Sequence, residues 1–488
     1  MKRTFILGCM ALIAGSAFSQ KKIDYVEYDM PNGLHVILHQ EKSTPIVAVS
    51  ILYHVGSKNE IVGRTGFAHF FEHLLFEGSA NIGRGEYSEI VEKNGGTLNA
   101  NTSNDRTYYY EILPSNQLEL GLWLESERLL HARVDNEGVE TQRQVVKEEK
   151  RQRVDNQPYA SFITETFKRM FINHPYNWVP IGSMEDLDAA QEEDYVNFYR
   201  KFYVPSNATL SIAGDLDIEQ TKKWVAQYFG SIPAGQAINM YRDFENLSDD
   251  KFKEVYGIEK SQLDANNFNN PKSSEAKKVV AKYAAMPCEI KRPVNYTGRL
   301  SGVVTDTIYD NIQLPGLFIS YHYPNQTNPD FYALEMMNEI LSSGASSRLN
   351  KSIIENKQLA VNAFSFPFGL EAAGLGIFGA IAADGADLDS LMAEFDVQID
   401  LMKSELISQN DFEKIRNKLE NNVVSSNSSI AGVAENLADN HVYYGSASRV
   451  NTMIDNYLNV TREDIQRVAK KYLTKDARLI LYYLPKEK

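Results

Sequence analysis

The feature that most constrains the fold of this 488-residue chain is that it resembles itself. Near the end of its first half, Asp194-Tyr-Val-Asn-Phe-Tyr-Arg-Lys-Phe leads into Ala208-Thr-Leu-Ser-Ile. Near the end of the second, Asp464-Ile-Gln-Arg-Val-Ala-Lys-Lys-Tyr leads into Ala477-Arg-Leu-Ile-Leu. Both read as a capped helix running into a strand. A second match is ungapped. His69-Phe-Phe-Glu-His-Leu-Leu with its closing Gly78 aligns with Glu335-Met-Met-Asn-Glu-Ile-Leu and Gly344. The apolar positions repeat and the histidines do not. Two matching segments in the same order predict an internal duplication, and the length favours several domains over one.

Within the first half, Ile23–Met30 and Leu34–Gln40 flank Pro31-Asn32-Gly33, a hairpin pattern. Pro45–Val55 reads as a strand. A helix is predicted over Thr65–Phe76, ending before Gly78, and a longer one over Asn136–Val154. Residues 236–291 are rich in Asn, Ser, Asp and Lys and read as a polar linker or insertion with short helices. The expected division is 1–19, 20–235, 236–291 and 292–488.

Lys2 and Arg3 precede an apolar run from Phe5 to Ala17, and Ala17-Phe18-Ser19 is a small-x-small cleavage pattern. This predicts a signal peptide over 1–19, and hence export, most simply to the periplasm. Lipidation at Cys9 is disfavoured by the very short apolar run before it. After cleavage only Cys288 remains, so no intrachain disulfide is expected. No later segment has the roughly 18 consecutive apolar residues of a membrane helix. The net charge of −14 becomes −16 once Lys2 and Arg3 leave, which argues against nucleic-acid binding.

The chemistry concentrates in His69-Phe70-Phe71-Glu72-His73. On a helix His69 and His73 lie about 40° apart and Glu72 about 60° to the other side of His69. All three share a face opposite Phe70, Phe71, Leu74 and Leu75. Two neutral imidazoles one turn apart can grip one cation, and with only nine histidines in the chain such spacing is rare by chance. A catalytic zinc usually takes a third protein ligand and keeps a position open for water. The candidates are Glu148 and Glu149 on the later helix. Against a stripe of Val139, Val145 and Val146, Glu149 points roughly 35° from the centre and Glu148 roughly 135° away. An inward carboxylate needs a partner, and a metal supplies one.

His69-x-x-Glu72-His73 followed by Glu149 after 75 intervening residues resembles the signature of pitrilysin-type (insulinase-like) zinc peptidases, the inverzincins, and is similar to their bacterial processing-peptidase-like subgroup. Gly95-Gly96-Thr97-Leu98-Asn99-Ala100, Asp105-Arg106-Thr107 and Val145-Val146-Lys147-Glu148-Glu149 also look like that family, as do Leu314–Leu317 and Ser346–Leu349 in the second half. The resemblance implies an α+β clamshell of two duplicated halves, each an antiparallel-rich sheet packed with helices. It implies one zinc per chain on His69, His73 and Glu149, Glu72 as catalytic base, and a peptide substrate held along Asn99 and Ala100.

Two departures stand out. Gln142 occupies the place, seven residues before the third ligand, where the family usually has a supporting Glu. Ile354 and Val361 occupy the places of an Arg/Tyr pair that helps hold substrate. The expectation is therefore the metal-bearing subunit of a hetero-oligomer, its homologous partner supplying the Arg/Tyr pair. The alternatives are a non-catalytic peptide-binding or scaffold subunit of an envelope complex, and a metal-storage protein. The intact ligand set speaks against the first and Glu72 against the second.

Overall fold

The structure, a computed structural model, describes residues 22–296 and 298–486. The expected leader over 1–19, with Cys9, lies outside the described residues. In the first half the order is β1 (Val26–Asp29), β2 (His35–Gln40), β3 (Ile46–Tyr53), α1 (Phe67–Leu74), α2 (Glu86–Lys93), β4 (Thr97–Thr102), β5 (Thr107–Pro114), α3 (Leu118–Leu130), α4 (Asn136–Lys150), α5 (Phe162–Met170), α6 (Met184–Ala189), α7 (Glu192–Phe202), β6 (Ala208–Gly214) and α8 (Ile218–Phe229). Next come α9 (Ala237–Asn246), α10 (Asp249–Tyr256) and α11 (Ser274–Ala284). The second half holds β7 (Val304–Asp310), β8 (Gly316–Tyr323), α12 (Asp330–Ser342), β9 (Ala360–Gly369), β10 (Gly374–Ala382), α13 (Leu388–Ser404), α14 (Gln409–Ser426), α15 (Ile430–Tyr444), α16 (Met453–Leu458), α17 (Arg462–Tyr472) and β11 (Leu479–Pro485). No described helix is long and apolar enough to cross a membrane.

The first sheet runs β1-β2-β6-β3-β5-β4 and the second β7-β11-β8-β10-β9. Without β1 the two orders match strand for strand. Each contains one parallel pair at the equivalent place, β2 with β6 and β7 with β11, and is otherwise antiparallel. The fold is thus α+β, with two duplicated halves as expected. The paired segments fall on equivalent elements, α1 with α12, and α7–β6 with α17–β11. Both α7 and α17 open on a capping box, Gln191 with Asp194 and Thr461 with Asp464.

The 236–291 stretch is not an open linker. α9, α10 and α11 pack onto the first half and bury Ile238, Met240, Phe252 and Val280 in its core, with Phe268 from the turn before α11. Helices of 8 to 11 residues, separated by Asn- and Ser-rich turns, bury too few apolar residues each for their periodicity to stand out in sequence.

Each sheet is covered on one face by its own helices and on the other by a helix from the opposite half. On the first sheet Val36, Val49, Ile51 and Leu210 face α1, α3 and α7, while Ile37, Ala48 and Ala213 face Val433, Ala434 and Leu437 of α15. On the second, Ile319, Tyr321 and Ala380 face α12, α13 and α17, while Phe318, Ile377 and Leu481 face Phe167 and Met170 of α5. This double covering explains why β3 reads as a nearly unbroken apolar run and why every residue of β6 is buried.

A buried polar hub also joins the halves. Lys58 pairs with Asp105 at 3.0 Å and with Glu371, and His54 Nε2 donates to Glu371 at 2.6 Å. Tyr176 donates to Asp105 at 2.5 Å and accepts from the Ala372 N–H at 3.0 Å. Burial alone would raise the Glu371 carboxyl, but His54 and Lys58 outweigh it and hold it at about 2. A carboxyl depressed in the folded state stabilises it above the unfolded value of 4.5 and loses that contribution as pH falls from 4.5 towards 2.

Two outcomes follow. Leu437→Ala, on the helix that bridges to the other half, costs about 2–5 kcal/mol in denaturant unfolding. Glu371→Gln lowers stability at neutral pH and flattens its decline between pH 4.5 and 2, read by unfolding at several pH values.

Candidate metal centre

α1 carries the H-x-x-E-H motif and is fixed at both ends. Gly66 precedes it at φ +92° and lies against Gly182 at φ +67°. A Cβ on Gly182 would sit 2.6 Å from the Gly66 nitrogen, so this crossing admits no side chain. The buried Glu60 carboxyl accepts the Gly66 and Ala68 N–H groups, each at 2.9 Å, and so satisfies two amides at the helix N-terminus, although burial raises it to about 8. Just beyond the C-terminus, Arg128 donates to the Leu75 carbonyl at 3.1 Å. Arg128 is fully buried, paired with Glu111 and Glu125, and stacked on Phe76, Tyr87 and Tyr109. The Arg128 cation at the C-terminal end suits the helix dipole. Phe70 and Phe71 bury against Tyr195 and Phe198 of α7, and Tyr109 donates to the Phe71 carbonyl at 2.9 Å.

α4 packs against α1. Its first turn is capped by Asp135, which accepts the Gly138 N–H at 2.9 Å. Val139 and Val146 are buried as predicted, but Val145 is 44% exposed, so the apolar stripe is narrower than its sequence reads. Glu148 is exposed beside Arg151 and Gln152, whereas Glu149 points inward. A five-residue π-helical turn, Arg151–Asp155, follows and brings Arg153 to Glu149 Oε1 at 2.9 Å.

His69, His73 and Glu149 converge. Nε2 of His69 and Nε2 of His73 are 3.4 Å apart, and Glu149 Oε2 is 3.5 Å from the first and 3.1 Å from the second. A tetrahedral zinc with bonds of about 2.0–2.1 Å separates its donors by roughly 3.3–3.4 Å. The triangle therefore has the size of one face of a zinc tetrahedron. Two imidazole nitrogens facing each other at this distance are satisfied by a shared cation. Burial, then the neighbouring His73, lowers His69 to about 4, which keeps its ring neutral and able to ligate. The His73 hydrogen bond lowers the Glu149 carboxyl against the opposing effect of burial. The residues fit zinc.

Glu72, half-buried on the same helix, stays outside the triangle. Burial raises its carboxyl, with Thr102 and His73 acting in the opposite sense. Thr102 ends β4, the edge strand of the first sheet. Asn99 and Ala100 sit mid-strand on β4, where the Ala100 N–H donates to the Asn99 side chain at 2.8 Å. Among the described residues β4 pairs with β5 alone, so its other edge is open beside α1. Gln142 lies two turns before Glu149 and donates to Glu77, which Arg84 holds at 2.7 Å. Gln142 thus braces the far end of the α1–α4 contact and makes no hydrogen bond to the two histidines. In the second half Ile354 packs against the core and Val361 is 58% exposed on the edge strand β9. Neither can donate a hydrogen bond.

Sequence reasoning passed over Glu60, Arg128 and Arg153. Arg153 was legible, since an Arg four residues after a helical Glu is a standard pairing. Glu60 and Arg128 act from separate elements and carry no local pattern. The duplicated half shows what replaces the triad. Glu339, equivalent to His73, pairs with Lys418 of α14 at 2.6 Å, so an ammonium ion joins the two helices there.

The insulinase (peptidase family M16) sequence pattern matches residues 35–177, and the pattern of the M16 inactive domain matches residues 190–419. A Helicobacter pylori protein named zinc protease PqqE is 27% identical over 444 residues, 91% of this chain and 89% of its own length. A Bacillus subtilis protein named uncharacterized zinc protease YmxG is 22% identical over 459 residues, 93% and 97% of the two chains. Among solved structures, a protease from Helicobacter pylori superposes with a TM-score of 0.78 at 25% identity, covering 95% of this chain and 100% of that one. The Escherichia coli periplasmic protease PqqL shares the fold, with a TM-score of 0.66 at 16% identity, and this chain spans 48% of it.

His73→Ala or Glu149→Gln should lower bound zinc by one equivalent in elemental analysis, while Glu72→Gln keeps that equivalent.

Proposed function

The chain belongs to the insulinase (M16) peptidase family, and on that premise we propose that it is an exported zinc endopeptidase acting on peptides or short unfolded polypeptides. The observation that carries this reading is the zinc-sized triangle of His69, His73 and Glu149 with a second carboxylate, Glu72, outside it on the helix face of the two histidines. Zinc held there supplies Lewis acidity towards a peptide carbonyl and makes water a stronger acid.

Glu72 takes the proton of the attacking water and delivers it to the departing amine. Its raised affinity for protons, a consequence of burial, suits a group that must accept and return one. The open edge of β4 offers main-chain groups to an extended substrate, with Asn99 and Ala100 flanking the metal helix. Arg153 holds the outer oxygen of Glu149 and leaves the inner one for the metal.

The chain is further proposed to act as the metal-bearing subunit of a hetero-oligomer, in the periplasm. Ile354 and Val361 leave the second half without the donors that would steady a substrate. The 48% coverage of PqqL accords with a partner of similar size completing the enclosure. The export reading rests on the Lys2–Ser19 pattern.

The test is cleavage of a quenched fluorescent peptide library by residues 20–488 at full zinc occupancy, with Glu72→Gln as blank. Glu72→Gln should lower kcat/KM by roughly 10²–10⁴-fold. The subunit reading expects weak cleavage by the chain alone and a gain from the paired Ile354→Arg and Val361→Tyr. Full activity of the unaltered chain overturns the need for a partner. Zinc without cleavage under any pairing favours a peptide-binding subunit.

A further inference from the structure

A second group of metal-ligating side chains lies on the seam between the halves, away from α1. The β1–β2 register sets Asp29 directly opposite His35, with Glu27 two residues earlier on the same strand face. His35 Nδ1 and Asp29 Oδ1 are 2.7 Å apart, and in the neutral tautomer that donates from Nδ1 the Nε2 keeps its lone pair. That Nε2 is buried, has no hydrogen-bond partner, and lies 3.4 Å from Glu27 Oε2. His441, in the last turn of α15, stacks on His35 with ring centres 3.5 Å apart and planes 7° apart. One ligand atom each from Glu27, His35 and His441 fits within 4.8 Å.

An ordinary ion pair explains His35 with Asp29. It does not explain a second imidazole laid on the first, a further carboxylate beside Nε2, and a buried ring nitrogen with no hydrogen-bond partner. A carboxylate that orients one nitrogen of an imidazole whose other nitrogen ligates is the usual support of a histidine–metal bond. Two carboxylates beside two imidazoles also give the site negative charge that favours a cation.

We propose that Glu27, His35 and His441 bind a divalent transition-metal ion of the Zn²⁺, Co²⁺ or Ni²⁺ class, oriented by Asp29. The ion staples the N-terminal hairpin of the first half to α15 of the second. Binding tilts the His441 ring out of the stack, and no hydrogen bond holds that ring among the described residues. The site is structural rather than catalytic, since no base accompanies it.

The experiment uses the full exported chain carrying His69→Ala and His73→Ala, which removes the α1 site. Co²⁺ is titrated and followed by visible absorption, and Zn²⁺ is counted by elemental analysis. One saturable equivalent is expected, together with a metal-dependent rise in melting midpoint. Adding His441→Ala should abolish both, and Asp29→Asn should weaken binding roughly 10–100-fold. Glu27→Gln, at a surface position, serves as the variant that folds regardless and should also weaken binding. No saturable metal in the His69→Ala/His73→Ala chain overturns the proposal, as does binding that both His441→Ala and Glu27→Gln leave unchanged. Because the α1 site is absent throughout, failure here does not bear on zinc at His69, His73 and Glu149.

Discussion

The structure depends on an exchange. Each five-strand unit has two apolar faces, and its own helices cover only one. The second face is sealed by a helix from the other half, α15 on the first sheet and α5 on the second. Removing either half would bare a sheet face carrying Ile37 and Ala48, or Ile377 and Leu481. Exposed apolar area of that kind is what the hydrophobic effect penalises most. The two duplicated halves therefore each cover an apolar face of the other. The Lys58–Asp105–Glu371 hub adds charge pairing along the same seam.

That rigidity reaches the metal centre through α1, which has only eight residues. A helix this short is marginal in isolation. Its order comes from its surroundings. Glu60 satisfies its first amides, Arg128 its last turn, and the aromatic side chains of α7 its apolar face. With the helix so held, two histidines one turn apart keep their nitrogens at metal-binding separation. The third ligand arrives from α4, whose own start is locked by Asp135 and Arg84.

Duplication followed by divergence explains the asymmetry of function. The second half keeps the strand order, the apolar face of α12 and the α12–α14 contact. At the position of His73 it has Glu339, and Lys418 supplies the positive charge between the helices. A cation joins these helices in the second half, and the equivalent place in the first half holds three converging donors. Only in the first does the donor set suit a metal, and only there does a spare carboxylate sit on the same helix face.

Much of this was legible in the sequence because it is local. Periodicity revealed the helix bearing His69, Glu72 and His73, the repeat revealed the duplication, and the 100° rule separated inward Glu149 from solvated Glu148. Val145 misled because a three-valine stripe looks wider in projection than the contact it makes. In the 236–291 segment the short helices were legible but their packing onto the first half was not, because their apolar residues are sparse. The sequence by itself determined which residues could ligate and on which helix face they lie, since backbone geometry fixes neighbours within a few turns. Only the tertiary structure decided that Glu149 meets the two histidines at 3.1 and 3.5 Å, that Glu60 and Arg128 clamp their helix, and that His441 stacks on His35. Those meetings join residues far apart in the chain. They are set by how sheets and helices cover one another's apolar faces, for which no local pattern exists.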